Sequence, residues 1–91
     1  MLTKCFSAEF APHKIMVNAI GPTIFRSPLT AWLYAEEGPG AVARKSVVAR
    51  IPCGRLAETS DFVGSVVFLS SPASDFITGH VMYVDGGFVT V

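Results

Sequence analysis

Two apolar segments of this chain end in glycine, and the residues that follow each end could take part in ligand binding. Residues 15–20 lead into Gly21-Pro22-Thr23, and residues 81–84 lead into Asp85-Gly86-Gly87. Two buried strands separated by helical sequence favour a parallel sheet, in which ligands bind beyond the strand ends. Glycines at a strand end permit turns that a side chain would forbid. A structural role for Asp85 therefore outweighs an acid/base role.

The other reactive side chains are scattered along the sequence. His13 and His80 are isolated, and no group of side chains has metal-ligand spacing, so we expect no metal site. Cys5 and Cys53 lie far apart, and the rest of the composition is typical of an intracellular protein, which disfavours a disulfide. We expect both histidines to be structural.

The hydrophobic pattern predicts the elements that would position the strand ends. The expected order is helix, strand, two short helices, helix and strand, over residues 2–11, 15–20, 28–35, 41–49, 61–70 and 81–84. Pro12 should end the first helix, and Gly21-Pro22-Thr23 should end the first strand. Because the first strand is almost uniformly apolar, we expect burial on both of its faces. Thr59 or Ser60 should cap the helix over 61–70.

Burial can be predicted for two of the helices. Val42, Val47 and Val48 are candidates for the buried side of the helix over 41–49. Apolar residues cover much of the circumference of the helix over 61–70, so that helix should pack on more than one side.

The segment over residues 24–50 is predicted to be an excursion from the sheet. Two short helices around Gly38-Pro39-Gly40 are typical of a mobile segment rather than a core, and such segments often act as lids. Trp32, Leu33 and Tyr34 could line a pocket under this lid or pack on the neighbouring helix, and the pattern leaves both readings open.

Composition excludes several classes of function. The 91 residues are 51% hydrophobic and 15% charged, with seven basic and seven acidic side chains. This balance provides neither a basic surface for nucleic acid nor an acidic tail. The longest apolar run is far short of a membrane span, and the N-terminus lacks the pattern of a signal peptide. We therefore expect a cytoplasmic protein with no nucleic-acid or membrane partner.

A set of short motifs, in this order and spacing, resembles the C-terminal portion of the short-chain dehydrogenase/reductase family. The motifs are Ala8-Glu9-Phe10-Ala11-Pro12, Ile15-x-Val17-Asn18-Ala19-Ile20-x-Pro22, Ile51-Pro52-x-Gly54-Arg55, Asp61-Phe62-Val63 and Ile77-Thr78-Gly79-x-x-Met82-Tyr83-Val84-Asp85-Gly86-Gly87. The resemblance implies an α/β fold: the C-terminal part of a Rossmann-type doubly wound parallel sheet. Residues 1–91 would then be a single partial domain, and residues 24–50 its substrate lid.

The same resemblance implies that the loop after the first strand binds a nicotinamide cofactor. The cofactor-binding residues would be Pro22, Thr23, Ile24, Phe25 and Ser27. Phe25 would contact the carboxamide through its backbone amide and carbonyl, and Ser27 would supply the hydroxyl that the family usually takes from threonine. Thr23 departs from the family, which commonly has glycine there, so the loop could follow a different path.

The family's catalytic groups have no counterpart in this sequence. Its glycine-rich cofactor loop, catalytic serine and Tyr-x-x-x-Lys would all precede Met1, and neither Tyr34 nor Tyr83 has lysine four positions later. We therefore assign no catalytic residue and expect the chain alone to be inactive, as a fragment of a longer enzyme or as a truncated product. The implied parent would use NAD or NADP to transfer a hydride between nicotinamide and a carbonyl or secondary alcohol.

The role of this segment in such a parent has two readings. It would supply nicotinamide contacts, a substrate lid and part of an oligomer interface, since the family usually forms dimers or tetramers. Alternatively, it is a non-catalytic product that associates with full-length subunits through its apolar last helix and strand. A third hypothesis is an unrelated small α/β binding domain. The residues that distinguish NAD from NADP would lie upstream, so both cofactors stay open, as do the substrate, reaction direction and oligomer size.

Two polar residues are expected to be structural. Asn18 lies in an apolar strand, where a buried amide needs hydrogen-bond partners, and we expect it to hold neighbouring loops. Arg55 resembles a family arginine that ties loops to a carboxylate or to backbone carbonyls.

Overall fold

The computed structural model describes residues 1–90, which divide into two compact units. The first unit comprises residues 1–21 and 63–83, and the second comprises 22–62 and 84 onward. Over the described range, three α-helices and two strands follow in the order α1 (Leu2–Phe10), β1 (Ala19–Pro22), α2 (Pro39–Val48), α3 (Val63–Leu69) and β2 (Val81–Val84). Short 3₁₀ turns lie at Ala11–His13, Ala31–Tyr34, Thr59–Phe62, Pro72–Ser74 and Phe88–Thr90.

The two strands pair in parallel, as the sequence predicted, and their residues belong to the first unit except for the last of each. The predicted bounds of β2 are confirmed. The predicted first strand is wrong at its start, because pairing begins only at Ala19, whose amide donates to the His80 carbonyl at 2.9 Å. Before that point, the Val17 amide donates to the Thr78 hydroxyl at 3.0 Å. A hydrogen bond to a side chain therefore takes the place of backbone pairing between the strands.

Burial of β1 on both faces is also wrong for the described residues. Ile15 is 50% exposed, and Ala19, Ile20 and Gly21 are only partly buried. The reason is that no helix of residues 1–90 packs extensively on either face of β1.

The strand ends within Gly21-Pro22-Thr23 as predicted, but it includes Gly21 and Pro22 and so extends two residues past the predicted Ile20. A Cβ atom at Gly21 would lie 2.7 Å from Cδ1 of Tyr83. The glycine is therefore explained by the close approach of the Tyr83 ring across the sheet rather than by a turn.

The first helix follows its prediction closely. α1 spans Leu2–Phe10, and the Phe6 and Phe10 rings lie 5.8 Å apart, as the i, i+4 spacing requires. A 3₁₀ turn containing Pro12 follows, and Lys14 ends it in the left-handed conformation at φ 61°. Within residues 1–90, Cys5 and Cys53 are exposed free thiols.

The second unit holds the buried hydrophobic residues of the described chain. Leu33, Ile51 and Leu56 are at most 6% exposed, and partly buried side chains pack around them, namely Ile24, Tyr34, Ala43, Val47, Val48 and Phe88. The predicted burial of Val47 and Val48 is thereby confirmed. Val42 is 71% exposed, so its predicted burial is wrong: one residue before Ala43, it points about 100° around the helix from the packed face.

The predicted helix over 28–35 is wrong, because only the four-residue 3₁₀ turn Ala31–Tyr34 forms there. Its first bond runs from the Leu33 amide to the Thr30 carbonyl at 2.9 Å. The buried Leu33 places this part of the excursion in the core, contrary to the expectation that the whole segment lies outside it.

The helix predicted over 61–70 is divided into the 3₁₀ turn Thr59–Phe62 and the seven-residue α3. The predicted cap at Thr59 or Ser60 is wrong, since the Asp61 carboxylate instead accepts the Glu58 amide at 2.8 Å. In the described chain α3 does not pack on more than one side, because three of its valines are at least half exposed, namely Val63, Val66 and Val67.

The start of α2 permits a sharp test of packing. A Cβ atom at Gly40 would lie 1.8 Å from the Trp32 backbone carbonyl oxygen, which cannot move aside as a side chain could. We expect Gly40→Ala to destabilise the protein by about 1–3 kcal/mol, measured by urea denaturation followed by circular dichroism.

Gly64→Ala is the matched control, because a Cβ there meets no atom within 4 Å and Gly64 lies inside α3. We expect it to stabilise the protein by up to about 1 kcal/mol. Equal effects of the two substitutions would contradict the packing of Gly40 on Trp32.

Candidate functional site

The loop after β1 is held by a parallel bridge between Phe25 and Ala57. The Arg26 amide donates to the Ala57 carbonyl at 3.1 Å, and the Ala57 amide donates to the Ile24 carbonyl at 3.0 Å. Because backbone groups alternate in direction along an extended segment, the amide and carbonyl of Phe25 face away from Ala57. The family resemblance assigns this amide and this carbonyl to contact with the nicotinamide carboxamide.

Thr30 organises the polar groups of this loop. Its hydroxyl donates to the Phe25 carbonyl at 2.6 Å and accepts the Ser27 amide at 3.1 Å. The Ser27 hydroxyl lies 3.2 Å from the same oxygen. Sequence reasoning missed Thr30, although a threonine three residues after Ser27 is a recognisable pattern for a side chain that bonds a nearby backbone group.

All five predicted cofactor residues lie in the second unit, but Phe25 and Ser27 do not line the cavity that the other three share. Pro22, Thr23 and Ile24 line a cavity of about 290 Å³ with Val47, Arg50 and Phe88. Within residues 1–90, Lys14 is the only residue other than glycine with a positive φ, so Thr23 holds its place in the loop without that strain. The Phe25 amide donates no hydrogen bond within the described range, and its carbonyl, which already accepts Thr30, has a second lone pair.

Arg26 and Glu58 form a second clamp on the loop. The Arg26 guanidinium donates to both carboxylate oxygens of Glu58, at 2.7 and 2.9 Å, and its carbon lies 4.2 Å from the centre of the Tyr34 ring. The hydrogen bond from Arg26 lowers the pKa of Glu58. The Tyr34 hydroxyl donates to the Ala57 carbonyl, and partial burial, then the Glu58 charge, raise its pKa. No sequence pattern reveals a pair 32 residues apart.

Arg55 acts as predicted, because it joins a carboxylate and a backbone carbonyl. It donates to both Asp61 oxygens, at 2.8 and 2.9 Å, and to the Leu56 carbonyl at 3.2 Å. The bonds from Arg55, and then from the Glu58 amide, hold the pKa of Asp61 well below its usual range. At neutral pH, the Asp61 carboxylate thus fixes the turn before α3 through Arg55 and the Glu58 amide.

The structural roles expected for Asn18 and Asp85 are confirmed. In the first unit, the Asn18 side chain donates to the Ile77 carbonyl and accepts the His80 amide, both at 3.0 Å. In the second unit, the buried Asp85 carboxylate accepts the Gly87 and Val89 amides at 3.0 and 3.2 Å. Each carboxylate or amide closes a turn.

Residues 1–90 contain no group of three or more histidine, cysteine, aspartate or glutamate side chains placed to hold a metal ion. None of their helices is both long and apolar enough to cross a membrane.

A family model described as "Enoyl-(Acyl carrier protein) reductase" matches residues 1–89. The chain belongs to the short-chain dehydrogenase/reductase family. Among curated relatives of this dehydrogenase/reductase segment, an uncharacterised oxidoreductase of Mycobacterium tuberculosis is 48% identical over 88 residues, which cover 97% of this chain and 33% of the relative. The 5-keto-D-gluconate 5-reductase of Escherichia coli is 40% identical over 89 residues, covering 98% and 34%.

A solved structure shows the same fold. A gluconate 5-dehydrogenase from Burkholderia cenocepacia, in complex with NADP and tartrate, superposes with a TM-score of 0.89 at 33% identity, over 100% of this chain and 34% of that one. The fold class is therefore confirmed as part of a Rossmann-type α/β domain. The dehydrogenase/reductase segment spans about a third of the length of the relatives it matches.

Removing the Thr30 hydroxyl should loosen the loop. Thr30→Val keeps the shape of the side chain but leaves the Ser27 amide and Phe25 carbonyl without this partner, at a cost of about 1 kcal/mol. We expect faster hydrogen exchange of the Ser27 amide by NMR. Thr59→Val is the control, because Thr59 is exposed and its hydroxyl makes no hydrogen bond within residues 1–90. Unchanged exchange at Ser27 in Thr30→Val would contradict the assigned role.

The Arg55–Asp61 pair should make stability depend on pH. The pKa of Asp61 is lower in the folded chain than in the unfolded one, where it is about 3.9. The pair therefore contributes stability above pH 4, and this contribution is lost as the pH falls below that value.

Asp61→Asn should reduce stability at neutral pH and flatten the acid limb of the stability profile, measured by urea denaturation between about pH 2 and 7. Asp75→Asn makes the same change of charge at an exposed residue of the first unit and should preserve the limb. An Asp61→Asn profile parallel to that of the unsubstituted chain would refute this assignment.

Proposed function

We propose that this segment contributes the nicotinamide-contacting loop of an NAD(P)-dependent oxidoreductase. Family membership supports the class of reaction, and the NADP in the Burkholderia cenocepacia structure supports the cofactor. The nicotinamide supplies the hydride acceptor or donor when the cofactor is bound. The observation that carries the proposal is the orientation of Phe25, whose backbone amide and carbonyl both face away from the bridge to Ala57.

The groups around Phe25 suit a carboxamide. A carboxamide presents one acceptor and two donor hydrogens, and the loop offers the Phe25 amide as donor, its carbonyl as acceptor and the Ser27 hydroxyl as either. Pro22, Thr23 and Ile24 would form the start of the same contact surface. Thr30 would hold Ser27 and the Phe25 carbonyl in place, which reduces the cost of ordering the loop when cofactor binds.

The substrate of the complete protein would be a small carbonyl compound or secondary alcohol. Relatives are named for 5-keto-D-gluconate and L-xylulose, which are polyhydroxylated molecules with such groups. Residues 24–50 would cover the substrate. Trp32 is 58% exposed and could face it, while the buried Leu33 and Gly40 would anchor the segment to the second unit.

An association role is the second proposal, and the exposed apolar face of α3 favours it. Val63, Val66 and Val67 are 51–60% exposed, which is unusual for three neighbouring valines on one short helix. In a complete protein this face would join further copies of the subunit, and the same face would serve a non-catalytic product that binds full-length subunits. A cytoplasmic location stays a prediction.

A chimera tests the proposed function directly. This chain would replace the matching third of the Escherichia coli 5-keto-D-gluconate 5-reductase, with which it shares 40% identity. The chimera would be assayed with both nicotinamides and 5-keto-D-gluconate. Ser27→Ala in the chimera should weaken cofactor affinity or turnover about two- to tenfold, since it removes one neutral hydrogen bond.

The 91-residue chain alone serves as the blank, for which we expect no turnover because it has no Tyr-x-x-x-Lys. Ser60→Ala, at an exposed serine of the same unit, should leave the chimera unchanged. If the folded chimera binds cofactor and Ser27→Ala matches Ser60→Ala, the loop is wrongly assigned. If the folded chimera binds neither nicotinamide, the proposed function itself fails.

A further inference from the structure

A cavity in the second unit carries an excess of positive charge. Its volume is about 590 Å³, and its lining includes four cationic side chains and one carboxylate, namely Arg26, Arg44, Lys45, Arg55 and Glu58. This volume lies within the range of small-molecule sites in proteins. The question is which of these charges are already neutralised.

Two of the four cations have carboxylate partners. Arg26 is paired with Glu58 at 2.7 Å, and Arg55 is paired with Asp61 at 2.8 Å. Within residues 1–90, neither Arg44 nor Lys45 has a carboxylate within ion-pair distance. These two adjacent residues of α2 therefore give the cavity two uncompensated positive charges.

Arg44 is already positioned by the backbone. One of its terminal nitrogens donates to the Leu33 carbonyl at 2.9 Å and to the Ala35 carbonyl at 2.7 Å. A guanidinium has five donor hydrogens, so its remaining N–H groups can serve a ligand without first paying the entropy of ordering the side chain. Lys45 is exposed and adds three mobile donors.

The rest of the lining is apolar or aromatic. Tyr34, Val48 and Leu56 all line the cavity, and Tyr34 is fixed by its hydrogen bond to the Ala57 carbonyl. A bare inorganic anion would contact only the cationic side chains and leave the apolar lining exposed to water. An organic anion would contact both the cations and the apolar lining.

The geometry points to a binding site for a small organic anion in this cavity. Its carboxylate or phosphate group lies against Arg44 and Lys45, and its apolar body lies against Tyr34, Val48 and Leu56. The site uses none of the five residues assigned to the nicotinamide, although the Arg26–Glu58 pair that clamps their loop also lines the cavity.

The test is an NMR titration of the full 91-residue chain with four probes. Phenyl phosphate and benzoate carry the two candidate anionic groups, inorganic phosphate lacks the apolar body, and benzyl alcohol lacks the charge.

We expect both organic anions to shift the signals of Tyr34, Arg44, Lys45 and Val48. Inorganic phosphate and benzyl alcohol should bind more weakly. The ratio of the affinities for phenyl phosphate and benzoate identifies the preferred anionic group. Raising salt to about 0.5 M should weaken both by screening.

Charge substitutions make the test specific to the cavity. Lys45→Gln should weaken phenyl phosphate binding about two- to fivefold, as expected for one exposed charge. Lys45→Glu should weaken it further. Lys4→Gln removes the same charge from an exposed residue of the first unit and should leave the affinity unchanged. The proposal is overturned if benzyl alcohol binds as well as benzoate, if the shifts lie elsewhere, or if Lys4→Gln equals Lys45→Gln.

Discussion

The bridge between Phe25 and Ala57 is the contact on which the second unit depends. Two backbone hydrogen bonds join the loop after β1 to the segment before α3, across a sequence separation of 32 residues. Such a contact carries a large loop-closure cost, which is met because Leu33, Ile51 and Leu56 are buried by the same fold. The hydrophobic core and the polar loop are thus formed together, and the orientation of the Phe25 backbone follows from the bridge.

Side chains on both sides of the bridge restrict its geometry but supply little of the free energy that forms it. Arg26 reaches Glu58, Tyr34 reaches the Ala57 carbonyl, and Arg55 reaches Asp61. Exposed ion pairs each contribute little free energy, so their main effect is to restrict where the backbone can lie. Thr30 acts on the loop in the same way, through its hydroxyl instead of a charge. These four contacts leave the backbone of this loop little freedom to change its path.

Local patterns predicted the elements whose structure is decided locally. α1 and β2 were expected close to their observed bounds, because each combines apolar residues with proline or glycine at its end. α2 was expected from residue 41 but begins at Pro39, two residues earlier. The structural roles of Asn18 and Asp85 were also predicted, since a polar group beside an apolar strand or a glycine turn has few alternatives. The role of Arg55 was predicted from the family resemblance rather than from its local pattern.

Predictions that depend on distant partners were less accurate. The start of β1 depends on the Thr78 hydroxyl, and the shortening of the helix after Pro28 accompanies the burial of Leu33. Gly21 was interpreted as a strand end because the sequence contains no sign that the Tyr83 ring lies across the sheet. Thr30 and Glu58 were missed for the same reason: their importance lies in the groups they bond, and only folding brings those groups close.

The two units distribute apolar surface differently, and this difference bears on how the segment could serve a larger protein. The second unit buries its own hydrophobic core within residues 1–90. The first unit buries Ser7 and Ser74 but leaves much of α3 and the side chains of Leu2 and Phe76 exposed. A seven-residue helix is too short to be stable by itself, so α3 depends on packing for its stability. The loop around Phe25 is thus held by contacts within the second unit, whereas the first unit leaves Val63, Val66 and Val67 at least half exposed. A division of this kind would couple subunit association to α3 while leaving the ligand loop under the control of the Phe25–Ala57 bridge.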